Sequence, residues 1–267
     1  MLIATDLDGT LLRGDRTISG RTVDAIQQTV AAGTPVVLVT GRPIRWLRTV
    51  YDQLPTPLPA VCANGAVVYD PVSDQVLRAS PLAPSVLAEV ARRLLAEVPE
   101  AVLAVEIVDG RQMRHQIDYP VYADGDLGAI RAVEAVAELL TEPAVKLLVR
   151  AGVRDPDEFS LRIGTALTGL AEATHSSLSG LVEVSASGVT KAAGLAWYCE
   201  QLGVTAPEVV AFGDMPNDVP LLTWAGRAVA VANAHPAVKE IADEVTGSNE
   251  DDGVAAYLET LLGVRRA

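Results

Sequence analysis

The chain has 267 residues, which at roughly 150 residues per domain points to one large domain or two smaller ones. Hydrophobic residues make up 49% and charged residues 21%, enough for a buried core and unlike the composition of a disordered chain. With 34 acidic against 21 basic residues, the formal net charge is -13. That balance argues against a nucleic-acid partner and against docking on anionic lipid, since both need a basic face.

Only three of the basic residues are lysines, Lys146, Lys191 and Lys239, so a catalytic lysine has few candidates. Cys62 and Cys199 lie far apart and form no CxxC pair, which speaks against a disulfide or thiolate-metal framework and for a reducing compartment. The first residues, Met-Leu-Ile-Ala-Thr followed by Asp6, carry no basic stretch and no long apolar run of the signal-peptide kind. No apolar run approaches the ~18 residues of a membrane span. The expectation is a cytoplasmic protein without a membrane partner, a monomer or a small homo-oligomer.

In chain order, Leu2-Ile3-Ala4-Thr5 is a short buried-strand pattern that stops at the acidic turn Asp6-Leu7-Asp8-Gly9-Thr10. A helix follows, with Ser19 as N-cap, Val23, Ile26 and Val30 on one face, and Gly33 as its stop. Val36 to Val39 is a second apolar strand ending at Thr40-Gly41-Arg42-Pro43, and Pro43 suits the first position of another helix carrying Trp46, Leu47, Val50 and Leu54. A third strand near Ala60 to Ala63 ends at Asn64-Gly65. Wholly apolar strands separated by helices indicate a parallel sheet covered on both faces.

From about Pro81 to Val184 the character changes. The pattern predicts a helix over Ser85–Glu97, a strand over Val102–Val108, a turn at Asp109-Gly110 and a helix near Leu127–Leu140. A strand over Val145–Val149, a helix over Asp157–Glu172, the Ser/Gly-rich stretch Ser176–Gly180 and a strand over Leu181–Val184 follow. This reads as a small α+β unit inserted into the larger one. The α/β rhythm then returns, with a helix over Lys191–Leu202, a strand over Val209–Phe212 leading into Gly213-Asp214, a further helix, and a strand over Ala228–Val231.

Four predicted strands thus end in polar residues: Asp6 and Asp8, Thr40, Asn64, and Asp214. In open parallel sheets the functional crevice lies outside the carboxyl ends of the strands, so these residues are expected to meet. Two carboxylates two residues apart suit either an Asp-rich turn or a nucleophile beside a general acid/base, with a hard cation suppressing their repulsion. Gly213-Asp214-Met215-Pro216-Asn217-Asp218 suits helix capping or metal ligation. Thr40-Gly41-Arg42 offers a hydroxyl and backbone N–H groups to an anion. Lys191 at a helix start opposes the helix dipole, which a local anion would explain.

In this order and spacing the four elements closely resemble the motifs of the haloacid dehalogenase superfamily of phosphatases: Asp6-Leu7-Asp8-Gly9-Thr10, Thr40, Lys191, and Gly213-Asp214 with Asn217-Asp218. The large insertion resembles the αβ cap of the Cof-type subfamily, as do Thr40-Gly41-Arg42, Asn64-Gly65-Ala66 and Gly188-Val189-Thr190-Lys191. The resemblance covers nearly the whole chain. It implies a Rossmann-like, doubly wound parallel sheet as an α/β catalytic core over residues 1–80 and 185–267, with an α+β cap at 81–184.

It also implies roles. Asp6 would attack phosphorus and form an aspartyl-phosphate, and Asp8 would protonate the leaving oxygen and then activate water. Mg²⁺ would be held by Asp6, the backbone carbonyl of Asp8, and Asp214. Leu7, Thr40, Gly41, Lys191 and Asn217 would hold phosphoryl oxygens, and Asp218 would orient Lys191 or a metal-bound water. Arg42 and Asn64 are further substrate candidates, as are Arg114, Tyr119 and Tyr122. Trp46, Trp197 and Trp224 read as packing residues, His115 and His175 carry no ligand pattern, and His235 reads as a loop or helix-start residue.

The expected activity is hydrolysis of a small phosphorylated metabolite, a sugar phosphate or similar polyol phosphate. A phosphomutase would share the aspartyl-phosphate step and retransfer the group. A phospho-accepting or non-catalytic binding module would have no use for Asp8 as an acid. The segment between about Arg111 and His175 offers no motif that names the substrate.

Overall fold

The computed structural model describes residues 1–121, 129–152, 155–175 and 180–263. Its first stretch contains β1 (Leu2–Thr5), α1 (Gly20–Ala31), β2 (Val36–Val39), α2 (Arg48–Tyr51), β3 (Ala60–Cys62), β4 (Val67–Asp70) and β5 (Gln75–Ala79). Next come α3 (Pro84–Glu97), β6 (Val102–Ile107), β7 (Gln112–Gln116), β8 (Ile130–Val133), α4 (Val136–Leu139), β9 (Ala144–Arg150), α5 (Pro156–Ala166), β10 (Ala171–Thr174) and β11 (Leu181–Ala186). The last stretch holds α6 (Lys191–Leu202), β12 (Val209–Gly213), α7 (Val219–Trp224), β13 (Arg227–Ala230), α8 (Pro236–Ile241), β14 (Glu244–Val245) and α9 (Gly253–Leu261).

Among the described residues the strands form two sheets. The first has the order β14-β13-β12-β1-β2-β3-β4-β5. It is parallel from β14 through β3, and β4 and β5 are antiparallel additions. Every residue of β1, β2 and β12 is buried, as expected of strands covered on both faces by helices. The doubly wound α/β core is therefore present. At its edge the β4–β5 hairpin sets β4, buried except for Asp70, beside β5, which alternates exposed and half-buried residues.

The second sheet, β10-β11-β9-β6-β7-β8, is antiparallel except for the β7–β8 pair. Alternation along its strands sorts two faces. Leu103, Val105 and Ile107 on β6, Leu147 and Val149 on β9, and Val182 and Val184 on β11 form one apolar cluster with Leu87, Val90 and Leu94 of α3 and Phe159 and Ile163 of α5. The intervening residues Glu106, Lys146, Leu148, Leu181 and Glu183 line a cleft that Gly41, Arg45 and Trp46 also line. These three belong to the first unit, the one built on the first sheet, as opposed to the second unit, built on the second.

Several sequence expectations change here. The helix expected near Leu127–Leu140 begins outside the described residues, and its remainder is strand β8 followed by the single turn α4. Ile130 to Val133 pair in register with Met113 to Gln116, and this ladder overrides the apparent helical spacing. The helix expected to reach Glu172 stops at Ala166, because Gly169 takes a left-handed turn at φ +74° and Ala171–Thr174 pair with β11. Pro43 precedes a 3-10 turn at Ile44–Trp46 instead of opening a long helix, and α2 is one turn. Ser176–Ser179 and Tyr122 lie outside the described residues. His235 caps α8, its Nδ1 accepting from the Ala237 N–H. No described helix is long and apolar enough to cross a membrane.

Helix α6 is docked on the loop after β3 almost backbone to backbone. Gly65 sits at φ +101°, where a Cβ would lie 1.9 Å from the Thr190 carbonyl oxygen. A Cβ on Gly194 would lie 2.6 Å from Val61 Cγ1 and 2.8 Å from the Gly65 Cα. These two glycines set how deep the start of α6, and hence Lys191, enters the sheet end. Gly194→Ala is expected to lower stability by roughly 1–3 kcal/mol through overpacking, measured by urea unfolding. An unchanged midpoint would show that α6 can shift outward freely.

Candidate active site

The strand order β12-β1-β2-β3 brings the four polar strand ends side by side. Asp6 and Asp8 follow β1, Thr40 follows β2, Asn64 follows β3 and Asp214 follows β12. Lys191, the first residue of α6, enters this edge from the side. Its helix starts here because the Thr190 hydroxyl accepts from the Ala193 N–H at 3.1 Å.

Lys191 is buried, and its Nζ donates to Asp6 Oδ1 and to Asp218 Oδ1, each at 2.6 Å. The other oxygen of Asp218 accepts from the backbone N–H groups of Asp214 (3.0 Å) and Met215 (3.1 Å). Thr10 donates its hydroxyl to Asp214 Oδ1 at 3.0 Å. Gly9, at φ +82°, gives way to the Asp214 carboxylate, since a Cβ there would lie 2.3 Å from Asp214 Oδ2.

Asp6, Asp214 and Asp218 each bring a carboxylate oxygen within 4.8 Å of the others. The sequence reading put Asp218 in a supporting position; geometrically it stands in the cluster itself. Asp8 is outside it. Its side chain is 52% exposed, and both oxygens accept from Arg42, at 2.7 Å from Nε and 2.5 Å from Nη2. Arg42, read as a substrate candidate, is thus turned onto Asp8.

Thr40 is fully buried, and its hydroxyl oxygen accepts from the Arg42 N–H at 3.0 Å. Leu7 is buried, with its carbonyl accepting from the N–H groups of Thr10, Leu11 and Leu12. The Asn64 amide, read as a second substrate candidate, instead bridges protein groups: it accepts from Asn217 Nδ2 at 3.1 Å and donates to Glu183 Oε2 at 3.0 Å. Asn217 Oδ1 is buried with no partner among the described residues. Of the other candidates, Arg114 pairs with Glu142, Tyr119 lines the cleft, and His175 Nε2 lies 2.8 Å from Asp157 Oδ1, which accepts from it. Asp157 also lies 3.3 Å from His235 Nε2, tying α5 to the first unit.

Beyond Gly41 the site opens into the cleft, which is partly open to solvent. Its apolar walls include Trp46, Met113, Tyr119 and Leu148. Two ion pairs cross or line it, Arg45 with Glu106 and Lys146 with Glu183. The sequence reading had no signal for Lys146, Glu106 or Glu183 beyond strand alternation and the scarcity of lysine.

The electrostatics of the cluster ask for a cation. Burial, with the neighbouring Asp218, Asp214 and Asp8 charges, holds the Asp6 carboxyl well above the usual carboxylate range, against the pull of Lys191. Burial and then Asp218 push Asp214 up to about 7. Burial opposes the charge on Lys191, but Asp218 and Asp6 outweigh it and hold the ammonium above its ordinary value. Three buried carboxylates facing one ammonium form an all-oxygen donor set suited to a hard divalent cation. The Asp8 carbonyl and water would complete the set.

The sign of the pH effect follows. Asp214 binds its proton more tightly folded than unfolded, so its ionisation destabilises the metal-free fold as pH rises from near 4 toward 7. A cation competes with that proton. Added Mg²⁺ should therefore raise the melting temperature more at about pH 8 than at about pH 5, checked by thermal denaturation with and without the ion. Equal shifts at both pH values would contradict the assignment of this cluster as the cation site.

The sequence matches the haloacid dehalogenase-like hydrolase family over residues 3–258. It is 33% identical over 266 residues to the 5-amino-6-(5-phospho-D-ribitylamino)uracil phosphatase YitU of Bacillus subtilis, covering 97% of this chain and 96% of the relative. It is 29% identical to the pyridoxal phosphate phosphatase YbhA of Escherichia coli, covering 98% of each. The fold is shared with the Streptococcus mutans protein SMU.1108c, with a TM-score of 0.85 at 24% identity and 98% coverage of both chains. The chain belongs to the haloacid dehalogenase-like hydrolases, of the Cof type, and is a phosphatase of that family.

Proposed function

We propose that this phosphatase is Mg²⁺-dependent and hydrolyses a small sugar or polyol phosphate through an aspartyl-phosphate on Asp6. The observation that carries the reading is Lys191, buried and shared between Asp6 and Asp218 at the carboxyl end of the sheet. A lysine so placed holds the attacking carboxylate in position and faces the charge that develops on a transferring phosphoryl group.

Asp6 attacks phosphorus, and the bond to the leaving oxygen breaks. Asp8, the most exposed of the four acids, gives that oxygen its proton and later takes one from the water that cleaves the acyl-phosphate. Thr40, Asn217, Lys191 and the backbone at Leu7 and Gly41 hold the phosphoryl oxygens. Asp6, Asp214 and the Asp8 carbonyl would hold Mg²⁺, with Asp218 beside them. When bound, the ion neutralises phosphoryl charge and lets the carboxylates stand ionised together.

Residues 81–184 are taken as a cap over a core of 1–80 and 185–267. The cleft between them would receive the leaving group of a small substrate and shelter it in part from bulk water. The relatives' named substrates, a phosphorylated ribitylaminouracil and pyridoxal phosphate, support a small phosphorylated metabolite, and the first of these carries its phosphate on a polyol chain.

Asp6→Asn should abolish release of inorganic phosphate while raising the melting temperature of the metal-free protein, because it removes one charge from a crowded cluster. Activity within tenfold of the parent would remove Asp6 from the nucleophile role. Lys191→Ala should cost about 10²–10³ in kcat, and Lys191→Arg should not restore it, since a planar fork does not replace a compact ammonium held between two carboxylates. Steady-state assays on a panel of phosphorylated metabolites test both. Stoichiometric free phosphate identifies hydrolysis, and retransfer to a second hydroxyl would identify a mutase instead.

A further inference from the structure

We infer that the buried Lys146–Glu183 pair of the second sheet is a positioning device that fixes the hydrogen-bond polarity of the phosphate-holding residues Asn217 and Thr40. The inference rests on the reading of those two residues as part of the phosphate clamp.

Two arms leave the pair, and each ends in the clamp. Lys146 Nζ donates to Glu183 Oε1 at 2.5 Å and to the Gly41 carbonyl at 2.6 Å. Glu183 Oε2 accepts from Asn64 Nδ2 at 3.0 Å, and Asn64 Oδ1 accepts from Asn217 Nδ2 at 3.1 Å. Lys146, Glu183, Asn64 and Asn217 are all buried, so water does not scramble the chain of donors and acceptors.

The direction of the first arm is dictated from its cap end. An ammonium only donates and a carboxylate only accepts, whereas an amide can face either way. With Glu183 fixed as acceptor by Lys146, Asn64 must turn its nitrogen to Glu183 and its oxygen to Asn217. Asn217 must then answer with its nitrogen. One N–H of Asn217 is used and the second remains for a phosphoryl oxygen. Its Oδ1, buried without a partner among the described residues, is the atom this polarity leaves over.

The second arm works through one peptide group. Lys146 holds the carbonyl of Gly41, and the N–H of the same peptide, that of Arg42, donates to Thr40 Oγ1 at 3.0 Å. That bond occupies a lone pair of the hydroxyl and leaves its proton to point outward as a donor. Both arms therefore turn donors toward an anion, and both depend on a pair contributed by β9 and β11. Seating the second sheet and completing the phosphate clamp become one event.

Substituting the pair separates positioning from packing. In Glu183→Gln, the new amide can accept from Lys146 only by offering its own N–H to Asn64, which turns Asn64 and Asn217 around. In Lys146→Met/Glu183→Leu, apolar residues of similar size fill the space and leave the amides without instruction. Such replacement removes the desolvation cost of the ion pair while stripping a partner from the Gly41 carbonyl and from Asn64.

The measurements are melting temperature and the Kd of inorganic phosphate by calorimetry in saturating Mg²⁺. They are made on the parent protein, Glu183→Gln and the double variant. Expected is a phosphate Kd about ten- to a hundredfold weaker in both variants, the worth of one hydrogen bond to a charged group. The double variant leaves the Gly41 carbonyl and one Asn64 N–H without their partners, so its melting temperature should fall, and its Kd is read where it remains folded. If Glu183→Gln does not fold, the double variant decides alone. A phosphate Kd within twofold of the parent in a folded variant overturns the inference, as does a parent protein that binds no phosphate. Parent turnover of p-nitrophenyl phosphate is scored separately. Its absence would count against the phosphatase mechanism proposed above, while the phosphate Kd values still judge the positioning device.

Discussion

Charge crowding at the carboxyl end of the first sheet is the constraint on which the rest of the structure depends. Asp6, Asp214 and Asp218 are buried within a few ångströms of one another, and a single ammonium answers them. Ionised carboxylates out of water are costly unless paired, so the fold must both force them together and supply partners. Strand order does the forcing, since β12, β1, β2 and β3 are adjacent. The close docking of α6 across Gly65 and Gly194 supplies Lys191. The backbone N–H groups of Asp214 and Met215, and the Thr10 hydroxyl, absorb part of what remains.

The same economy of buried charge recurs between the two sheets. Glu106 is opposite Lys146 in the β6–β9 register, yet Glu106 pairs with Arg45 of the first unit and Lys146 with Glu183 of the neighbouring strand. Burial raises the Glu106 carboxyl against the pull of Arg45, so this pair carries a desolvation cost of its own. Charges at such positions are weak contributors to stability. Their contribution here lies in alignment, because each ties a loop of the first unit to a strand of the second.

Much of this was legible in the residues. Apolar runs such as Leu2–Ala4 and Val36–Val39, alternating with helical patterns, point to a parallel sheet buried on both faces, and a polar residue at the end of each then falls at a common edge. Lys191 stood out because a lysine at a helix start needs a local anion. The relation of Asp8 to Arg42 was not legible: the two are separated by 34 positions, and no local pattern says which way an arginine folds. The Ile130–Val133 strand was misread because its partner, Gln112–Gln116, is polar and announces no strand. Lys146 and Glu183 were silent for a different reason. In a two-faced strand the cleft-facing positions follow the same alternation as solvent-facing ones, so a buried charge there looks like an exposed one until the opposite layer is in place.

The contact of Asp157 with both His175 and His235 bears on how the two units are held together. His235 Nδ1 is committed to capping α8, so its Nε2 is the proton-bearing nitrogen and donates to Asp157. The loop that follows β13, whose His235 N–H also holds the Asp214 carbonyl, is thereby fastened to α5. Separating the two units would break this link together with the Arg45–Glu106 and Lys146–Gly41 contacts and expose the buried Arg45, Glu106 and Lys146 to water. In a molecule built this way the two units are held by a few discrete polar links rather than by a broad apolar seam, so any parting of the units would have to give up those links together.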